Sequence, residues 1–178
     1  MGQSKQLLKI NNEELLLKAV NVAVQSLMKT IVVLGANEKD HHEVIAHHPV
    51  DIILNSEWQK GMGSSLKTGL SHALKLDADL EAIIIMVCDQ PLLTSYHLKK
   101  IVKTFQETNK PIVASHYSGS PGVPALFHRS LFSEIAELPD DHGAKKIIER
   151  HSGNTTLIEF PEGAVDLDTP EDVSKFNQ

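Results

Sequence analysis

The apolar positions of this chain switch period repeatedly, and the switches mark out its elements. Between residues 14 and 27 the positions Leu15, Leu16, Ala19, Val20, Ala23, Val24 and Leu27 recur three or four apart, which predicts a helix with one buried face. Residues 30–35 and 50–54 are short β-branched runs and read as strands. Residues 39–47 between them read as a short helix stopped by Pro49. Further helices are predicted over 64–76 and 95–107, with smaller helical pieces at 130–136 and 143–151. Strands are predicted over 82–88, 111–115 and 155–159. The Gly/Ser/Pro-rich stretch 118–124 reads as a loop leading into residues 125–127. A last helix is expected from Thr169, with Thr169 as N-cap and Pro170 at its first position. Strands alternating with helices predict one α/β domain over residues 1–178. Its sheet is mostly parallel and covered by helices on both faces.

Residues 82–91 are the most informative segment. An unbroken apolar run ends in Asp89-Gln90-Pro91, and proline cannot continue a ladder. Asp89 therefore sits where open α/β sheets bind ligands, beyond the carboxyl end of a strand. Beside a phosphate-bearing substrate, that carboxylate is a natural Mg2+ ligand. It is equally a residue that caps the turn or the helix starting near Thr94, and both readings stay open here. Cys88 lies within the same run and reads as core rather than as a nucleophile.

At 178 residues the chain is long enough to hide roughly 70% of its unfolded surface. No apolar run reaches membrane-spanning length, no secretory leader is visible, and one cysteine excludes an internal disulfide. A cytoplasmic home is expected, with no membrane association. A net charge of −6, with no basic cluster interleaved with aromatics, argues against nucleic acid as partner. Phosphates remain accessible to such a chain where a metal ion, local lysines or backbone amides supply positive charge.

Several constellations carry residue types suited to chemistry. Gly61-Met-Gly-Ser64-Ser65 lies between a strand and a helix, where glycines let a ligand approach the backbone and the helix start offers free amides. Ser64 or Ser65 capping that helix is the plainer account. Asp166 and Asp168 precede the last helix; their late position and the following Pro170 exclude a haloacid-dehalogenase-type phosphatase. His41, His42, His47 and His48 lack the spacing of a helical zinc site and read as a solvated face. Asp141 reads first as the cap of the helix after Gly143.

Taken in order, these segments resemble the MobA-like nucleotidyltransferases, in particular the branch of molybdenum cofactor cytidylyltransferase. The matching pieces are Met1-Gly2-x-x-Lys5, Asn55 with Gly61-Met-Gly-Ser-Ser-Leu66, and Cys88-Asp89-Gln90-Pro91-Leu92. They continue with Gly119-x-Pro121-Gly122-x-Pro124, Asp141-x-Gly143-Ala144-Lys145 and Asp166-x-Asp168-Thr169-Pro170. The resemblance implies a Rossmann-like, glycosyltransferase-A-type fold and Mg2+-dependent transfer of a nucleoside monophosphate from an NTP. CTP is the favoured donor, the phosphate of molybdopterin the acceptor, and pyrophosphate the leaving group. It implies that Asp89 and Asp168 hold the metal and that Lys5 neutralises the triphosphate. Asn55, Gly61, Gly63, Ser64 and Ser65 would line the nucleotide pocket, and Gly122, Asp141 and Gly143 the acceptor side. A sugar or alcohol phosphate is the alternative acceptor. The alternative from another class is a catalytically silent protein that delivers the cofactor to a molybdenum hydroxylase. Family members place a strand and a glycine-rich loop directly before the Met-Gly pair. The expectation is therefore that upstream residues exist in the natural protein, and that NTP affinity is severely reduced without them.

Overall fold

The computed structural model describes residues 4–165; Asp166, Asp168 and the helix expected from Thr169 lie outside them. A 3-10 turn at Lys5–Leu7 leads into a two-residue hairpin, β1 (Lys9–Ile10) and β2 (Glu13–Glu14), and then helix α1 (Leu15–Gln25). Strand β3 (Ile31–Leu34), helix α2 (Glu38–Ile45) and strand β4 (Asp51–Leu54) form a parallel unit in register from Ile31–Asp51 to Leu34–Leu54. Helix α3 (Met62–Leu76), strand β5 (Ala82–Ile85) and helix α4 (Ser95–Thr108) follow. Strands β6 (Ile112–Tyr117) and β7 (Ser120–His128) make a long hairpin. After it come α5 (Phe132–Ala136), α6 (Lys145–Arg150) and β8 (Thr155–Glu159).

Strands β5, β7, β6 and β8 form a second sheet in that order. Its β6–β8 pair is parallel, and β7 runs antiparallel to both β5 and β6. The α/β class is as expected, but strand pairing is mixed, because a tight turn at residues 118–119 sends β7 straight back beside β6. The stretch 118–124 is accordingly a hairpin arm and not a loop. Pro121 and Pro124 are tolerated because β5 pairs only with residues 125–128 of β7, leaving that edge open at both prolines.

One face of the four-stranded sheet packs Ile112, Ala114, Ala125 and Phe127 against α3, α5 and α6, through Leu70, Ile135, Ile147 and Ile148. The other face packs Val113, Leu126 and Ile158 on α4 through Ile101. Among the described residues no hydrogen-bonded ladder joins β3 to β5. Two helices span the gap instead. Helix α1 sends Leu16 and Val20 into the cluster that holds Val32 and Leu34 of β3, and its Val22 packs with Ile84 and Met86 on Leu93, Leu98 and Phe160. Helix α3 meets Val33 at Gly69, and its Leu66 and Leu74 share a core with Ile83 and Ile85. Along this seam the apolar strand residues stay half-buried, Ile31 to Val33 on one side and Ala82 to Ile85 on the other.

Candidate functional site

Strand β5 ends at Ile85, three residues earlier than the apolar run suggested, and Met86 to Cys88 continue as irregular chain. Beyond it Asp89 is half-exposed, and its Oδ2 accepts a hydrogen bond from Lys5 Nζ at 3.0 Å. The helix after this turn is capped by Thr94, whose hydroxyl accepts from the His97 amide, so Asp89 is free of the capping duty considered above. Lys5 is brought there by the 3-10 turn. Just before it, Ser4 Oγ lies 2.8 Å from His41 Nε2 on α2. His41 is therefore buried and partnered, not part of a solvated histidine face. Burial depresses its pKa, opposed by the nearby Asp40 carboxylate.

Next to Asp89, Gln90 is 9% exposed and donates from Nε2 to the Val123 carbonyl at 3.0 Å. Tyr117 OH donates to the same carbonyl at 3.1 Å, and the tyrosine ring fills the space where Gly122 lacks a side chain. Asp89 and the hairpin segment holding Gly122 are thus joined in one cluster. Cys88 sits behind them, and burial first, then the Asp89 charge, push its thiol up to about 11. That makes it unreactive at neutral pH, as its sequence context indicated.

A second cluster forms around the start of α3. Asn55 is buried, and its Nδ2 donates to Ser64 Oγ at 2.8 Å and Ser65 Oγ at 3.0 Å. Ser64 in turn donates to the Gly61 carbonyl at 2.8 Å. Neither serine caps the helix; Gly61 occupies the N-cap and both serines lie in the first turn. The two glycines have a packing reason. A Cβ on Gly61 would stand 2.5 Å from the Asp140 carbonyl oxygen, and one on Gly63 would stand 2.9 Å from the His142 carbonyl oxygen. The Gly63 amide donates to Asp140 O at 2.8 Å. Lys67 closes the same junction, reaching Asp140 Oδ1 at 2.5 Å and the Leu138 carbonyl at 3.1 Å. That ammonium holds the Asp140 carboxyl below its ordinary range.

Asn55, Gly61, Gly63, Ser64, Ser65, Asp141 and Gly143 are therefore gathered around one helix start, with Gly143 against the Met62 sulfur. Asp141 is exposed and does not cap α6, which has no side-chain cap. No hydrogen bond among the described residues ties this cluster to Lys5 and Asp89. Leu66 of α3, Ile85 of β5 and Val123 of the hairpin pack on one common core. Tyr117 and Lys67 carry no signal in the sequence, and Gln90 stands there only within the Asp89-Gln90-Pro91 motif, with no role of its own. The proline after Gln90 was a visible signal of a turn there, whereas Tyr117 and Lys67 act through partners far away in sequence.

Among the described residues no three His, Cys, Asp or Glu side chains converge as a metal cluster. No described helix is long and apolar enough to cross a membrane.

A family model described as the MobA-like NTP transferase domain matches residues 1–155. Purine catabolism protein PucB of Bacillus subtilis is 26% identical over 183 residues, covering 97% of this chain and 87% of that protein. Molybdenum cofactor cytidylyltransferase of Escherichia coli is 24% identical over 173 residues, covering 97% and 86%. A solved structure of Rv0371c from Mycobacterium tuberculosis in complex with manganese is 25% identical. It superimposes with a TM-score of 0.78, covering 98% of this chain and 92% of that one.

Proposed function

From a chain that belongs to the MobA-like NTP transferase family, we propose a specific reaction: transfer of a nucleoside monophosphate from an NTP, CTP before GTP, to the phosphate of a molybdopterin-type acceptor. The observation that carries this reading is the Lys5–Asp89 pair, a cation and a carboxylate 3.0 Å apart beyond the carboxyl end of β5. An acceptor phosphate oxygen attacks the α-phosphorus in line, the bond from that phosphorus to the bridging oxygen breaks, and pyrophosphate leaves with the electron pair. The attacking oxygen is already anionic, so the protein need only position and neutralise.

Asp89 suits a hard divalent cation. It offers carboxylate oxygen, is reachable from solvent, and is held by one lysine that can shift to a phosphate. Mg2+ is commonly bound by one or two carboxylates plus substrate phosphates, so Asp89 with Asp168 would suffice. Bound there, the ion would offset charge on the α-phosphate and the leaving group. The manganese complex of the Mycobacterium tuberculosis relative supports a divalent metal. Lys5 would turn from Asp89 to the triphosphate, while Asn55 and the serines it holds would fix the nucleotide-side wall. The turn over 139–143 and the hairpin at Gly122 would face the acceptor. The PucB likeness favours a second setting, in which the same chemistry serves purine catabolism.

Calorimetric titration with CTP, GTP and ATP, each with and without Mg2+, tests the reading. Metal-dependent binding of CTP is expected. A protein that binds molybdopterin but no nucleotide would instead support delivery to a molybdenum hydroxylase. Asp89→Ala should lower turnover about 100-fold or more while leaving the circular dichroism spectrum unchanged. Full activity in that variant would remove Asp89 from the site.

A further inference from the structure

We propose that Gln90 is a positioning residue for the transfer, setting the acceptor-side hairpin from the same turn that presents Asp89; this rests on the transferase reading above. The β6–β7 register slips between Ala114 and Ser115. Ala114 faces Ala125 while Ser115 faces Gly122, so Val123 and Pro124 bulge out of the ladder. Bulges re-aim strands next to sites, and their unpaired carbonyls need other donors. Side chains supply those donors here. Pro124 O receives the Ser115 hydroxyl at 2.7 Å, and Val123 O receives both Gln90 Nε2 at 3.0 Å and Tyr117 OH at 3.1 Å.

Of these donors, Gln90 comes from outside the hairpin and adjoins Asp89. It is also a costly choice for packing alone. Its Oε1 is buried without a hydrogen-bond partner among the described residues, a penalty that an apolar side chain of equal length would avoid. What glutamine offers in exchange is the N–H to Val123. The Val123 carbonyl keeps Tyr117 when that N–H is removed, so the fold has a reserve donor while the link to the Asp89 turn has none.

Gln90→Met separates the two roles, because it keeps the length and removes both polar atoms. The urea midpoint should stay near wild type. Amide exchange at Gly119, Ser120, Gly122 and Val123 should quicken. With CTP, Mn2+ and molybdopterin as probes, the Kd for Mn2+–CTP should move by less than about threefold, while KM for molybdopterin rises about tenfold or more. Gln90→Glu, which turns an acceptor oxygen toward Val123 O, should match or exceed that loss. Should Gln90→Met fail to fold, Gln90→Glu decides with the same readouts. A folded variant with unchanged hairpin exchange and unchanged KM for molybdopterin overturns the positioning role while the transferase reading stands. Wild-type protein that neither binds CTP nor transfers it overturns both.

Discussion

His97 shows what one polar residue does inside this core. It is 6% exposed, lies 2.8 Å through a ring nitrogen from Ser115 Oγ, and stacks on Phe160 with centroids 4.3 Å apart. Burial, with the Lys100 charge adding to it and Glu162 opposing, holds its pKa below the ordinary 6.5. The folded protein therefore keeps the ring neutral where the unfolded chain already takes up a proton. Stability is complete above pH about 6.5 and is lost as pH falls from there through the lower folded value. Urea midpoints measured between pH 7.5 and 5 should decline for wild type and decline less for His97→Gln, with His41 accounting for a remaining slope. Neither histidine announced this in the sequence, since Ser115 and Ser4 become partners only through tertiary contact. Asp89 was legible because its place depends on local chain features, an apolar run and a proline. Gly61 and Gly63 were legible as special positions, yet the neighbour that demands them is the backbone of residues 139–142, far along the chain.

Among the elements, those fixed by local pattern appeared nearly as read: α1, α4, β3, β4 and β8 lie within a few residues of their expected bounds. Strand β7 was hidden because two prolines and two glycines in seven residues carry a loop signature. They fit a strand here since one edge is open and a bulge absorbs Val123 and Pro124. The start of α3 moved to Met62 because Gly63 belongs to the helix, buried where it meets the 139–142 turn. Gly63→Ala should accordingly destabilise by about 1–3 kcal/mol through overpacking against backbone that has little room to yield. Gly153→Ala, where an added methyl meets nothing within 4 Å, should change the urea midpoint little. Equal midpoints in the two variants would contradict the close junction between α3 and that turn.

At the scale of the molecule the dividing line falls between β3 and β5. The four-stranded sheet contains fully buried stretches of β6 and β7, while every β3 residue except Leu34 is half-buried and β4 runs from half-buried to exposed. Amides of β3 and β4 should therefore exchange faster under native conditions than those of Val113 and Ala114, and the two groups should open as separate units. Uniform protection across both sheets would show that α1 and α3 couple them as firmly as a ladder. A ladder resists sliding through hydrogen bonds of fixed register, whereas packed helices accommodate small shear displacements by side-chain repacking. Such shear is held at one point: the start of α3 is bonded to Asn55 beyond β4 and to the Asp140 carbonyl in the turn before α6, so it works as a rivet across the seam.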